Sequence, residues 1–301
     1  MIGTTVAGTR RAARVRILAA VGVGLGALVL AVVAARWVWT WPAVAAFVRR
    51  YPGVAAGSSY RGTPAWVAVL HAANLFLLVQ IIRSGLVLRR GGRPCGHWTP
   101  RTGRRKGERV TVEQWFHVAL DLVWLLTGLV FVVLLILSGR WVRLVPTTVD
   151  VVPNALSVAL QYLSGHWPEP NGWLVYNALQ QLAYGGVVFV LAPVAALTGL
   201  RMSLWWPPRP KLDRWFTVER TRALHAAVMV LFVLFVVIHV TLVASTGVVR
   251  ALDHMFAARD GESLAGVYVL VGVLLVSAAA VAAARPVILR SLAGLTGRVT
   301  R

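Results

Sequence analysis

His225 and His239 stand fourteen residues apart in one apolar segment, RALHAAVMVLFVLFVVIHVTLVAS. Imidazole is a common transition-metal ligand, and an ionisable side chain in hydrocarbon is costly enough to be functional as a rule. On a helix this interval gives about 21 Å of axial separation and an angular offset of about 40°, so both rings look the same way from different depths. That geometry suits two metal cofactors, one near each surface of a bilayer, if other helices supply the opposing ligands.

Composition describes the elements that would position them. Hydrophobic residues make up 58% of the 301 positions and charged residues only 14%, against about a quarter charged in a soluble domain. The net charge is +21, mostly from arginine. A nucleic-acid-binding function does not fit, because the arginines sit in short clusters between apolar runs and not along one face of a soluble module. The single cysteine, Cys95, permits no internal disulfide, and Cys95-Gly96-His97 lacks the C-x-x-C-H spacing that attaches a c-type haem.

A fold class follows: all-α, a polytopic integral membrane protein with six transmembrane helices. The spans are expected near 16–36, 65–88, 114–138, 174–200, 222–246 and 263–284, each long enough to cross roughly 30 Å of hydrocarbon. The first follows a basic TRRAARVR but is over-long for a signal peptide and runs into RWVWTW without a small-residue cleavage site, so it is expected to remain as a span. Arginine is dense in 89–112, in 201–222 and at both ends of the chain, which places both termini and the second and fourth loops in the cytoplasm of a prokaryotic cell. The outer side then receives a loop with Trp37, Trp39 and Trp41, a longer one over 139–173, and a short one around Asp253. Within the longer loop, PNALSVALQYLSGHW reads as an interfacial amphipathic helix, too short to span. Ser/Thr-Gly pairs recur near span ends (Ser84-Gly85, Thr127-Gly128, Ser138-Gly139, Thr198-Gly199, Thr246-Gly247) and could let backbones or a flat ring approach closely.

On this map His97, His166 and His254 fall in loops. The other four histidines lie inside spans, and their depths match in pairs: His117 with His225 toward the cytoplasm, His71 with His239 toward the exterior. Iron in haem takes two axial nitrogens on opposite faces of a planar ring, and facing helices are where such sites are built. Zinc would want four tetrahedral ligands, and no Cys, Asp or Glu accompanies either pair at a suitable depth. Asp121, one turn after His117, could hydrogen-bond within the bundle, carry protons or face water. Arg83 is a candidate partner for the propionates of the inner haem, with Arg61 or Arg140 for the outer one; snorkelling to the interface is the alternative for Arg83.

The pattern of His71, His117 and the His225/His239 pair resembles the ligand set of di-haem cytochrome b subunits of membrane formate dehydrogenases and nickel-iron hydrogenases, within the bacterial cytochrome b561-like group. The resemblance runs from about Trp66 to Gly247 and implies a four-helix bundle with two haem b groups. Its first and last ligands, His71 and His239, would share one haem iron, and His117 and His225 the other. It also implies electron transfer between a quinone pool and a partner redox enzyme. The stretch from Trp115 to Ser164 is similar, too, to cytochromes b associated with molybdopterin-dependent oxidoreductases, which implies an extrinsic partner of that kind.

An extra span precedes the first ligand helix, so the expected orientation of the core is inverted relative to the formate dehydrogenase type. A retained quinone pocket beside the His71/His239 haem would then lie on the outer side, near Asn154, Gln161 and Trp167. The expected organisation is a basic tail over 1–15, the extra span and outer loop over 16–64, the four-helix di-haem core over 65–247, and a last span with a basic tail over 248–301. Two other functions use the same residues: a proton or metal-ion transporter with the histidines and Asp121 as relay, and a haem-free anchor for an extrinsic enzyme.

Overall fold

The computed structural model describes residues 3–54, 61–102, 107–167, 173–207 and 210–301. Its helices are α1 Gly3–Trp39, α2 Pro42–Arg50, α3 Ala65–Arg90, α4 Val112–Leu137, α5 Val151–Ser164, α6 Ala178–Gly186, α7 Ala192–Met202, α8 Pro210–Trp215, α9 Val218–Ser245, α10 Val248–Phe256, α11 Ala265–Ala283 and α12 Pro286–Thr296. Three short strands, β1 His97–Pro100, β2 Val110–Thr111 and β3 Gly297–Thr300, make an antiparallel sheet in the order β2-β1-β3. Among the described residues six helical stretches are long and apolar enough to span a membrane: Leu18–Trp39, Ala65–Arg90, Val112–Leu137, Ala178–Met202, Val218–Ser245 and Ala265–Ala283. The protein is thus an all-α polytopic membrane protein, with each span at the place its hydropathy indicates.

The chain forms two compact units. The first comprises 1–57, 146–171 and 175–182. Here α1 packs on the amphipathic α5; Arg36 donates to the Ser164 carbonyl at 3.3 Å, and Trp39 stacks on His166 with centroids 4.1 Å apart. Trp37 and Trp39 therefore close the helix and are not part of a loop. The second unit comprises 58–145, 172–174 and 183–301 and holds α3, α4, α7 and α9 to α12 with the sheet.

In this second unit the usual distribution of side chains is inverted. Leu122, Leu126, Leu129, Leu137, Val237 and Leu275 are exposed, whereas Gln80, Ser84, Thr198, Thr221 and Ser277 are buried. In water such an apolar surface would be an aggregation site; hydrocarbon is its proper solvent, and small or polar side chains then join the helices. Gln80 of α3, for example, donates to the Ser277 carbonyl of α11 at 3.1 Å.

Helix starts are set by capping. Thr111 accepts from the Gln114 N–H at 3.1 Å and Thr217 from the Arg220 N–H at 3.3 Å, each followed by a glutamate in the first turn, Glu113 and Glu219. The hydroxyl satisfies an otherwise orphaned N–H, and the carboxylate favours the positive end of the helix dipole. Both spans that carry the Thr-Val-Glu start also carry a histidine within three turns of it, His117 and His225. In the fourth span the ladder widens to a π-turn over Val187–Leu191. Pro193 lacks the N–H that a regular ladder needs there, and Ala192 donates to the Val187 carbonyl.

The basic segment after the last span is folded. α12 and β3 return to β1, and Trp98, Val112, Leu289 and Ala293 form a buried cluster with Trp115, Phe116 and Val299 around it. His97 accordingly opens β1, and His254 lies in α10 and not in a loop. α10 is fixed by Asp253, 1% exposed, which accepts from the Ser263 N–H at 3.1 Å, the Ser263 hydroxyl at 3.0 Å and Arg259 at 3.3 Å. Burial works against its ionisation, but these donors hold the carboxyl below the usual carboxylate range.

Leu289→Ala should weaken the sheet-proximal cluster by about 2–5 kcal/mol, seen as faster amide exchange in β1 and β3; unchanged exchange would show that this cluster does not hold the sheet. Burial, followed by the neighbouring Glu113, pushes the Cys95 thiol up to about 11, so the thiolate is scarce at neutral pH. Maleimide labelling should be slow at pH 8, rise steeply toward pH 11, and be faster at pH 8 in Glu113→Gln, because removing the carboxylate lowers the thiol pKa.

Candidate haem sites

α3, α4 and α9 bring the four span histidines together as two pairs. The His117 and His225 ring centroids are 6.3 Å apart, and those of His71 and His239 are 6.4 Å apart. With a metal–imidazole bond of about 2.0–2.1 Å and each nitrogen about 1.1 Å from its centroid, two rings on opposite sides of one ion have centroids about 6.3 Å apart. Both pairs have that spacing. Among the described residues no three His, Cys, Asp or Glu side chains gather as a metal-binding group. Two opposed imidazoles are the axial set that haem iron takes, with the porphyrin supplying the remaining nitrogens.

Hydrogen bonding selects the ring nitrogen at one pair. The Ser84 hydroxyl lies 2.7 Å from His117 Nδ1 and donates its hydrogen to the Ile81 carbonyl at 3.0 Å. Likewise Thr198 Oγ1 lies 2.8 Å from His225 Nδ1 and donates to the Val194 carbonyl at 2.6 Å. Each hydroxyl has one hydrogen and spends it on its own helix, so toward the imidazole it is an acceptor. With the hydroxyl as acceptor, Nδ1 carries the proton and Nε2 offers the lone pair, which is the tautomer a neutral imidazole must have when it binds a metal through Nε2. Gly85 and Gly199, the residues after these hydroxyls, face the same rings: a Cβ on Gly85 would fall 3.3 Å from His117 Cε1, and one on Gly199 3.8 Å from His225 Cε1. Asp121 lies one turn beyond His117, its oxygen 3.7 Å from Nε2.

The other pair has aromatic neighbours. Phe235 stacks on His239 at 5.7 Å and 12°, Tyr184 meets it edge-on at 5.9 Å, and Phe256 of α10 lies 5.3 Å from His71. Halfway between the pairs, seven residues from both His225 and His239 and so near the same face of α9, Phe232 meets Trp124 edge-on at 6.0 Å. Trp124 is itself seven residues after His117 and donates to Asn74 at 2.8 Å.

The remaining sequence candidates lie elsewhere. Arg83 donates to the Ala284 carbonyl at 2.9 Å, and Arg140 donates to the Gly62 and Arg61 carbonyls at 2.8 and 3.0 Å. Asn154 and Gln161 belong to the first unit, where Asn154 accepts from Gly53 and donates to Asp150, and Gln161 donates to Ser157. Trp167, also in that unit, meets Tyr162 edge-on. Sequence reasoning missed the Trp124–Phe232 contact; its signal was the seven-residue interval from each histidine. Of the five Ser/Thr-Gly pairs it noted, two abut imidazoles, while Thr127, Ser138 and Thr246 bond carbonyls of their own helices.

A polytopic helical membrane protein with imidazoles paired in its interior has the architecture of a membrane cytochrome. A family model described as "Prokaryotic cytochrome b561" matches residues 62–258, which contain all four span histidines, and the chain belongs to that family. It is a membrane b-type cytochrome that takes part in transmembrane electron transfer, and its family binds haem b. No curated protein and no solved structure matches the chain.

The two glycines give a differential test. Gly85→Val should displace His117 and reduce haem content, whereas Gly199→Ala, whose Cβ meets only ordinary van der Waals contact, should leave it unchanged; equal haem content in both variants would show that the close approach at Gly85 is not required.

Proposed function

We propose that the chain holds two haem b groups, one between His71 and His239 and one between His117 and His225, and carries electrons between them as one subunit of an oxidoreductase. The observation that carries this reading is that one helix contributes a histidine to each of two imidazole pairs, both spaced as two rings that would hold one metal ion between them. Residues 65–247 are the core in this reading, preceded by the extra span of 16–64 and followed by the last span and folded basic segment of 248–301.

Haem b, when bound, supplies a one-electron Fe(III)/Fe(II) couple at each depth. The protein's residues do the rest. His225 and His239 set the two depths on one rigid element, about 21 Å apart along the axis. Trp124 and Phe232 meet edge-on at the intermediate depth, seven residues from the histidines of their own helices. Exposed apolar residues of α4, α9 and α11 seat the bundle in hydrocarbon. Arg83 is the cation this reading offers to the propionates of the inner haem, and Arg61 or Arg140 to those of the outer one, which requires Arg83 and Arg140 to exchange their carbonyl partners for the propionates.

Quinone is the diffusible redox partner in this reading, and an extrinsic oxidoreductase of the formate dehydrogenase, hydrogenase or molybdopterin-dependent kind is the protein partner. The arginine distribution supports cytoplasmic termini in a prokaryotic plasma membrane, with His117/His225 on the cytoplasmic side.

Visible spectra of the dithionite-reduced, purified chain should show a sharp alpha band and two haems per chain, and His225→Ala should remove one haem and leave the other. A colourless protein, or retention of both haems in His225→Ala, would overturn the assignment.

A further inference from the structure

The two imidazole pairs are alike in spacing but not in what holds them. At His117/His225 each Nδ1 lies within hydrogen-bond distance of a hydroxyl that is itself tied to a backbone carbonyl, Ser84 to Ile81 and Thr198 to Val194, and with Nε2 on a metal the Nδ1–H is donated to that hydroxyl. At His71/His239, among the described residues, no hydrogen bond reaches either ring, and the neighbours are Phe235, Tyr184 and Phe256.

We infer that Ser84 and Thr198 are positioning residues that fix the ligand tautomer at His117 and His225 and make this site the lower in potential of the two. The inference rests on the di-haem reading above. A hydrogen bond donated from Nδ1 moves the ring toward imidazolate and raises the electron density that Nε2 offers the metal. Linking the acceptor hydroxyl onward to a carbonyl strengthens that bond. A more basic axial ligand favours the ferric state and lowers the potential. Rings without such a bond, in an apolar aromatic surround, are weaker donors, and burial disfavours the more highly charged ferric form. Both differences act in one direction. An electron shared between the sites therefore settles on the His71/His239 side: one iron is oxidised as the other is reduced, with no bond made or broken and no proton moved. The two ends of the molecule are thus distinguished by two hydroxyl groups.

The test is a potentiometric titration of the purified, haem-loaded chain. Two one-electron transitions are expected, the lower being the one missing from His117→Ala. Thr198→Val keeps the shape of the side chain and removes the hydroxyl, and Ser84→Ala does the same for the other ligand. Each should retain two haems and move only the lower transition upward, by about tenfold in the redox equilibrium, which is ~59 mV for one electron. Thr198→Ser, which keeps the hydroxyl, should stay at the original potential. Should one variant fail to assemble, the other reads the same transition through the opposite ligand. Two haems with unmoved potentials, or a His117/His225 transition above that of His71/His239, would overturn this inference and leave the di-haem reading standing. A chain without two haems would overturn both.

Discussion

A polar group in hydrocarbon has no water to turn to, and the second unit is organised around that constraint. Every N–H, hydroxyl and ring nitrogen inside it must find a partner within the protein or remain expensive. Ser84 and Thr198 meet the constraint twice over: each returns its hydrogen to its own helix and offers a lone pair to a histidine on another. What satisfies the hydroxyl also orders the imidazole, so helix packing and the orientation of the rings are one interaction.

The same constraint explains the division of residues between surface and interior. Leucine and valine face outward where the solvent is lipid, and glutamine, serine and threonine face inward, where Gln80 joins α3 to α11. Glycine follows each of the two hydroxyls, and at Gly85 the ring approaches so closely that a Cβ would fall 3.3 Å from it. Where a ring lies against aromatic side chains, as at His239, the packing is by shape and not by hydrogen bonds. One helix, α9, supplies an imidazole to each environment, with Phe232 seven residues from both His225 and His239.

Outside the spans, order comes from different sources. Threonine caps start α4 and α9 at the same end of the second unit, and both are followed by a glutamate. The buried Asp253, held ionised by Ser263 and Arg259, fixes α10 so that Phe256 reaches His71. A small sheet and the cluster around Trp98 and Leu289 tie the end of the chain to the loop before α4. These features make the connections supports for the histidine-bearing helices.

Much of this protein is written locally. Twenty-residue apolar runs identify the six spans, because crossing hydrocarbon requires length and hydrophobicity and little else. The interval from His225 to His239 is a property of one helix, and the depths of His71 and His117 follow from where their spans begin, so the pairing was legible before any contact was known. The Ser/Thr-Gly pairs were visible too, but nothing in one strand of sequence says which two of the five meet a ring. That depends on rotation of α3 against α4 and of α7 against α9, which only packing decides. The fate of the basic C-terminal segment was hidden for the same reason: β3 is a strand only because β1, two hundred residues earlier, offers it hydrogen-bond partners. Helix length and ligand spacing are short-range and periodic; the choice of hydroxyl for each imidazole is long-range and steric, and it belongs to the tertiary structure alone.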